Sequence, residues 1–200
     1  MRKFFSLIIV FCLTFPVFAE KVNYDPEIKV DENLTIPLRN YGVFAPASFS
    51  LYAIGLYVAG NETDNMKIKN ADQPMAIRLV SLSGLLGMKL LISELSRGFS
   101  YGMDHDKEFL KTIQTRIDTF LNMLKNSGKK PSKNKHITFL YLPGKGTKVY
   151  FEQELLGVIK GHDFKRALFG IWLNNNCADK KLREEAIKIR NNEVQIERKK

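Results

Sequence analysis

The pattern of apolar and polar positions predicts strands in the first part of the domain. Three segments, Leu34 to Leu38, Ala47 to Val58 and Met75 to Leu82, are rich in β-branched and aromatic residues and alternate with a period of two. In the longest of them, Tyr52 and Leu56 fall on one face, and both faces carry apolar groups. We therefore expect this strand to lie between two layers of the protein.

Two helices are predicted next. From Leu86 the apolar residues recur at spacings of three and four, which predicts a helix that ends near Gly98 or Gly102. We expect Asp104 to cap a second helix, which ends at Asn126. The apolar stripe of this second helix consists of Phe109, Ile113, Ile117, Phe120, Leu121 and Leu124.

The last third of the chain returns to strands before it ends in helices. The segments His136 to Tyr141, Thr147 to Phe151 and Leu155 to Ile159 are separated by short turns and predict a β-meander. Asp163 is placed to cap one further helix and Asp179 another. Strands and helices segregated in this way favour an α+β fold, with a mostly antiparallel sheet covered by helices.

The N-terminus has the pattern of a secretory signal peptide. Arg2 and Lys3 precede an apolar segment from Phe4 to Phe15, and small residues end at Ala19. The apolar segment is short for a membrane span, which needs about 20 residues. We expect cleavage after Ala19 and export to the periplasm or beyond, and an uncleaved membrane anchor is the alternative.

Length and composition indicate one globular domain after this segment. The chain has 200 residues, 44% of them hydrophobic and 26% charged. We divide it into a signal peptide (1–19), an extended lead-in (20–33), a single domain (34–190) and a charged tail (191–200). The oligomeric state stays open.

The charge pattern restricts the classes of partner. The formal net charge is +10, and the basic residues cluster in a loop at 128–136 and in the last residues of the chain. They are not interleaved with aromatic residues, so we expect no nucleic acid partner. Solvated loop charge is the simplest interpretation, and peripheral contact with an anionic membrane surface is the alternative. The three histidines are scattered, and we expect no metal and no cofactor.

Two segments resemble one known family. The strand SLYAIGLYV at 50–58 and the stretch PGKGTKVYFEQELLGVIKGHDFKRALFGIWL at 143–173 are similar to the hallmark strand and the C-terminal hairpin and helix of the chalcone isomerase-like proteins. The resemblance implies an open-faced β-sandwich, in which a helical layer covers one side of the sheet. It also implies a cleft between sheet and helices that accepts flat or elongated apolar molecules, such as flavonoids or fatty acids.

The polar groups that this family uses are only partly present. By the resemblance, the arginine that holds an oxyanion or a carboxylate falls at Phe44, and the hallmark-strand threonine or tyrosine falls at Tyr52. In bacterial relatives an Arg-Asp pair usually closes the strand before the helix, and this sequence has Ser83 and Gly84 there. Lys89 aligns with the family lysine, with an ambiguity of one residue in the alignment. Phenylalanine cannot pair with a carboxylate. We therefore expect a ligand to be held chiefly by apolar burial, with the Tyr52 hydroxyl as its orienting group.

Three hypotheses about function follow. The leading one is an exported, non-catalytic chalcone isomerase-like protein that binds an apolar or lipid-like small molecule in the cleft. The second is an altered intramolecular lyase or isomerase of the chalcone isomerase type, with Tyr52 and Lys89 as its remaining polar groups. The third is a structural or partner-binding domain with a filled cleft, whose last helix offers a docking stripe of Leu182, Ala186 and Ile189.

Overall fold

A computed structural model describes residues 22, 24–44 and 51–174, and this part of the chain contains seven strands and four helices. The strands are β1 (Glu27–Lys29), β2 (Thr35–Phe44), β3 (Tyr52–Val58), β4 (Met75–Ser81), β5 (His136–Leu142), β6 (Gly146–Phe151) and β7 (Glu154–Ile159). The helices are α1 (Asn65–Asn70), α2 (Met88–Gly102), α3 (Lys107–Asn126) and α4 (His162–Leu173).

The strands form one antiparallel sheet in chain order, β1-β2-β3-β4-β5-β6-β7. The sheet is curled into a half-barrel, and the helices belong to a separate layer. Every strand therefore pairs with its neighbours in sequence, as the β-meander pattern predicted for the later strands. The predicted α+β class with a helical layer on the sheet is confirmed.

The central strand β3 is buried on both faces, which confirms the prediction of two layers. Leu56 belongs to the large core between the sheet and the helices, whereas its neighbour Tyr57 belongs to a second, smaller core on the other face. Residues of β1 and β2, among them Ile28 and Ile36, pack into that second core. The segment predicted as an extended lead-in thus contains β1, which pairs with β2 at Ile28 and Ile36.

The two long helices follow the predicted apolar spacing. The stripe of α3 buries Ile113, Ile117, Phe120 and Leu124 against the core. The predicted cap of this helix is wrong by two residues, because Asp106 caps α3 by accepting a hydrogen bond of 2.9 Å from the Phe109 N–H. Asp104 instead occupies the left-handed backbone region, with φ of 53°, in the turn before the helix.

Helix α4 is fixed against α2 by close backbone contact. A Cβ atom placed on Gly170 would lie 2.3 Å from the Gly102 carbonyl oxygen, so only glycine permits this approach. The predicted cap at Asp163 is also wrong, since Gly161 precedes the helix and Asp163 lies in its first turn. There its two carboxylate oxygens accept hydrogen bonds of 2.6 Å from Arg116 of α3.

Helix α1 was not predicted. It has six residues, and Asp64 caps it by accepting a hydrogen bond of 2.9 Å from the Lys67 N–H. So short a helix is not stable alone, and contacts with α4 hold it in place. The predicted helix after Asp179 and its docking stripe lie outside the described residues. Among the helices that the structure describes, none has both the length and the apolar character that a membrane crossing requires.

Candidate functional site

Tyr52 begins β3 at the interface between the sheet and the helices. In the strand pairing it lies directly opposite Phe44 of β2 and Ser81 of β4. Its side chain is only 4% exposed, and its hydroxyl oxygen accepts a hydrogen bond of 3.4 Å from the Trp172 indole Nε1–H. The residue that the sequence proposed as an orienting group is thus covered by the end of α4.

Trp172 connects this tyrosine to a small cavity. Its ring stacks on Phe139 of β5, with 6.1 Å between the ring centroids and 22° between their planes. On its other side, Trp172 lines a cavity of about 20 Å³ between the sheet and α4. The full lining consists of Asn40, Tyr41, Ile54, Leu56, Ile77, Trp172 and Leu173.

The cavity is apolar in most of its lining and small in volume. Ile54 and Leu56 of β3 and Ile77 of β4 give it apolar lining, and Asn40 of β2 contributes a side-chain amide. A volume of about 20 Å³ holds roughly one water molecule. Ligand pockets in proteins commonly measure about 300–1,000 Å³, so a small-molecule ligand requires the surrounding side chains to move.

The other predicted site residues lie on β2, after β4 and on α2. The side chain of Phe44 lies outside the described part of the chain, although its backbone is placed opposite Tyr52. Ser83 follows β4, and its hydroxyl oxygen is buried without a hydrogen-bond partner among the described residues. Lys89 is exposed at the start of α2. Tyr52, Phe44, Ser83 and Lys89 therefore stay predictions as site residues.

Neither of two nearby arginines replaces the missing family arginine. Arg78 pairs with Gly55 and therefore lies on the sheet face opposite to Tyr52, where its Nε donates to the Thr138 hydroxyl at 3.0 Å. It also forms an ion pair with Asp25. Arg39 donates to the Val58 carbonyl oxygen at 3.4 Å, at the far end of β3 from Tyr52.

Both arginines have partners away from the cavity. Six residues of strand separate Val58 from Tyr52, which corresponds to about 20 Å. No guanidinium of these two residues is therefore available to clamp a carboxylate beside Tyr52.

The sequence analysis missed a buried lysine on α4. Lys165 is 0% exposed, and its Nζ donates hydrogen bonds to three carbonyl oxygens at the end of α1, those of Ile68 (3.1 Å), Lys69 (2.9 Å) and Ala71 (2.7 Å). The spacing was a usable signal, because Lys165 lies three and seven residues before the buried Leu168 and Trp172.

The surroundings of this lysine change its acid–base behaviour. The pKa of Lys165 is lowered to about 7, chiefly by burial; the Asp72 carboxylate opposes this shift, and the Arg166 guanidinium adds to it. Tyr141 beside it donates a hydrogen bond of 2.5 Å to Asp72, and burial together with this bond raises the pKa of its phenol. All three protons of the Lys165 ammonium have backbone acceptors, so we assign it a structural role in holding α1 on α4.

Among the described residues, no group of three or more histidine, cysteine, aspartate or glutamate side chains is arranged to hold a metal ion.

Comparison with known proteins agrees with this fold. The sequence model of a family described as chalcone isomerase-like matches residues 18–186. No curated protein matches the chain in sequence. Among the solved structures that match is the fatty-acid binding protein AtFAP1 of Arabidopsis thaliana, with a TM-score of 0.60 and 18% identity over 82% of this chain and 90% of that one. The resemblance of the hallmark strand and C-terminal hairpin is confirmed: the chain belongs to the chalcone isomerase-like family.

Proposed function

We propose that this protein is an exported, non-catalytic binding protein for an apolar, lipid-like small molecule held between the sheet and α4. The observation that carries the proposal is the apolar cavity beneath Trp172, which lies at the sheet–helix interface where the family has its cleft. The fatty-acid binding name of the structurally similar AtFAP1 supports the same class of ligand.

Ligand entry requires side chains to rotate rather than α4 to move. The backbone of α4 is held by the contact between Gly170 and Gly102 and by Asn174, whose amide donates at 2.9 Å to both the Tyr101 carbonyl and the Asp104 carboxylate. Trp172 has a single N–H donor, and its hydrogen bond to Tyr52 is long. Breaking such a bond costs about 1 kcal/mol, so rotation of the indole is the least costly way to enlarge the cavity.

Apolar burial supplies most of the binding energy in this proposal. Ile54, Leu56 and Ile77 contact the ligand chain, and the Tyr52 hydroxyl orients its polar end once Trp172 has turned away. Since neither Arg39 nor Arg78 lies beside Tyr52, we expect a fatty acid and the fatty alcohol of the same chain length to bind with similar affinity.

Trp172 provides a direct test, because it is the only tryptophan in the sequence. The delipidated protein is titrated with fatty acids and fatty alcohols of increasing chain length while its tryptophan emission is recorded. We expect a saturable change in emission, and native mass spectrometry of protein from its own host should show a retained apolar molecule.

A matched pair of variants locates the binding site. Leu56→Phe adds volume at the cavity, whereas Leu140→Phe adds the same volume to the core on the other face of the sheet. Overpacking of this kind costs about 1–3 kcal/mol in either place. Only Leu56→Phe should abolish ligand binding, and equal loss in both variants would contradict the assigned site.

The small volume of the cavity favours a second candidate, a partner-binding domain whose cleft is filled. At about 20 Å³ the interface already approaches the packing of a core. This candidate predicts no retained molecule and no change in Trp172 emission with any apolar ligand. The two experiments above therefore separate it from the first.

Export and membrane contact complete the first proposal. Cleavage after Ala19 is tested by measuring the mass of the protein recovered from its host, since removal of residues 1–19 leaves Glu20 at the N-terminus. A peripheral contact with an anionic membrane surface belongs to the same proposal, because a protein that exchanges lipid-like molecules must approach a bilayer.

A further inference from the structure

Two exposed leucines lie at one end of the sheet. Leu85 is 68% exposed in the connection between β4 and α2, and Leu90 is 37% exposed in the first turn of that helix. One exposed leucine is ordinary for a soluble protein. Here two leucines occur within six residues and flank Lys89, which is also exposed.

A lysine-rich loop lies beside these leucines. This segment, residues 128–135, is named here the lysine loop, and hydrogen bonds hold it to the end of β4. Ser81 N–H donates to the Lys135 carbonyl at 2.9 Å, and Asn134 N–H donates to the Ser81 carbonyl at 2.8 Å. The Ser81 hydroxyl donates to the Pro131 carbonyl at 3.2 Å. The loop is therefore fixed next to the connection that carries Leu85.

The charge of this end is positive. It contains Lys89 and four lysines of the lysine loop, at 129, 130, 133 and 135. Glu154 pairs with Lys129, and Glu152 pairs with Lys135. Lys89 and Lys130 are exposed, and neither forms an ion pair within the described residues.

We propose that this end of the molecule docks on an anionic lipid bilayer, with Leu85 and Leu90 in the interface and Lys89 and the lysine loop at the head groups. Apolar side chains combined with lysines are typical of peripheral membrane contacts. An anionic polymer in solution would use the lysines but would gain little from a leucine. The inference names the surface for the membrane contact in the proposed function, and it rests on that function only for the reason to approach a membrane.

Vesicle binding tests this docking surface. The protein as its host produces it is mixed with vesicles of phosphatidylcholine, with or without phosphatidylglycerol, and the bound fraction is measured by flotation. We expect stronger binding to the vesicles with phosphatidylglycerol and weaker binding as salt is added. If the N-terminal segment is retained, it raises binding to both vesicle types and in all variants alike, so the differences remain readable.

Surface variants identify the residues responsible. Lys89→Gln with Lys130→Gln should lower binding to anionic vesicles about 25-fold, at about fivefold for each lysine. Leu85→Ser should lower it about tenfold through lost apolar burial. The matched controls are Lys107→Gln with Lys111→Gln near the start of α3 and Val158→Ser on β7, where the valine is 41% exposed. These controls should leave binding unchanged.

Three outcomes would overturn the inference. Equal binding to both vesicle types would show that charge plays no role. Equal losses of vesicle binding in the variants and the controls would show that the assigned surface is wrong. Loss with the lysine variants but not with Leu85→Ser would indicate a soluble anionic polymer instead. Titration of Trp172 emission without vesicles reports the ligand site separately, so failure of the docking surface and failure of the proposed function are distinguishable.

Discussion

Helix α4 makes two buried polar contacts of opposite character. Where it meets α1, Lys165 donates three hydrogen bonds of 2.7–3.1 Å, and each proton of its ammonium group has an acceptor. Where it meets the sheet, Trp172 donates one hydrogen bond of 3.4 Å to Tyr52 and borders a cavity. The first contact fixes the position of the helix, whereas the second is a single long hydrogen bond beside unfilled space.

This difference indicates that Lys165 and Trp172 of the same helix serve different purposes, the first stability and the second ligand binding. A buried charge whose hydrogen bonds are complete tolerates little change, because the loss of one partner leaves polar groups without water or protein contacts. The hydrogen bond between Trp172 and Tyr52 is long and lies beside unfilled space, so the loss of that bond costs less. We therefore expect substitutions at Lys165 to act on folding and substitutions around Tyr52 to act on ligand binding.

The largest effect is expected from Lys165→Met. The variant removes the donor of all three hydrogen bonds that the carbonyls at the end of α1 accept from Lys165. We expect the free energy of unfolding to fall by about 3 kcal/mol at pH 7. Denaturant unfolding measures this loss, and Lys111→Met, at a 72% exposed side chain on α3, serves as the control with nearly unchanged stability. A Lys165→Met variant as stable as the wild type would mean that the three hydrogen bonds of Lys165 do not stabilise the fold.

The pH dependence of stability is the second test. Burial lowers the pKa of Lys165 to about 7 in the folded protein, against about 10.4 in the unfolded chain. Between these values the unfolded chain binds more protons, so the free energy of unfolding rises with pH, by up to about 1.4 kcal/mol per pH unit from this group. Urea unfolding between pH 7 and pH 9 should show this rise in the wild type and not in Lys165→Met.

The window ends at pH 9 for a physical reason. Burial raises the pKa values of the Tyr24 and Tyr141 phenols, so near pH 10 the unfolded chain loses tyrosine protons that the folded protein keeps. That difference lowers stability with pH and would hide the contribution of the lysine. If the free energy of unfolding changed with pH equally in the wild type and in Lys165→Met below pH 9, this prediction would be wrong.

Phe44→Arg should change ligand preference. The register places residue 44 directly opposite Tyr52, where the family resemblance implies an arginine that clamps a carboxylate. A charge-assisted hydrogen bond there should raise the affinity for a fatty acid about tenfold. The fatty alcohol of the same length is the internal control and should gain nothing. An equal gain for acid and alcohol would mean that the new side chain acts only through packing.

The smallest effect is expected from Tyr52→Phe. The substitution leaves the Trp172 N–H without its acceptor and should cost about 1 kcal/mol of stability. It should also shift the emission of Trp172. Tyr57→Phe removes a comparable hydrogen bond, the one to the Asp25 carbonyl on the other face of the sheet, and should leave that emission unchanged. Identical spectra for the two variants would argue against a bond between Trp172 and Tyr52.

Much of the architecture follows from local patterns. The alternation in β3 and β4 and the three-and-four spacing in α2 and α3 are properties of neighbouring residues, and both periods survive into the structure. Caps depend on backbone geometry in addition to residue type. Asp104 has a suitable side chain for a cap, but its left-handed backbone places the start of α3 two residues later.

The candidate site was predictable only in part, as Tyr52 shows. That Tyr52 shares a face of β3 with Leu56 follows from a period of two, but its cover by Trp172 joins residues 120 positions apart. Lys165 shows the same limit, because its acceptors lie nearly one hundred residues earlier in α1. A lysine at an apolar position signals burial, and nothing in its sequence neighbourhood names the carbonyls that receive its protons.

The sequence by itself determined the order of β2 to β7 and of the three longer helices, the family, and the absence of an arginine at position 44. Only the tertiary structure decided that Trp172 closes over Tyr52, that Arg39 and Arg78 are held elsewhere, and that Lys165 is buried. The reason is that periodicity is a local property of the chain. Contacts between distant segments depend instead on how closely those segments pack, and the approach of Gly170 to Gly102 sets that distance for α2 and α4.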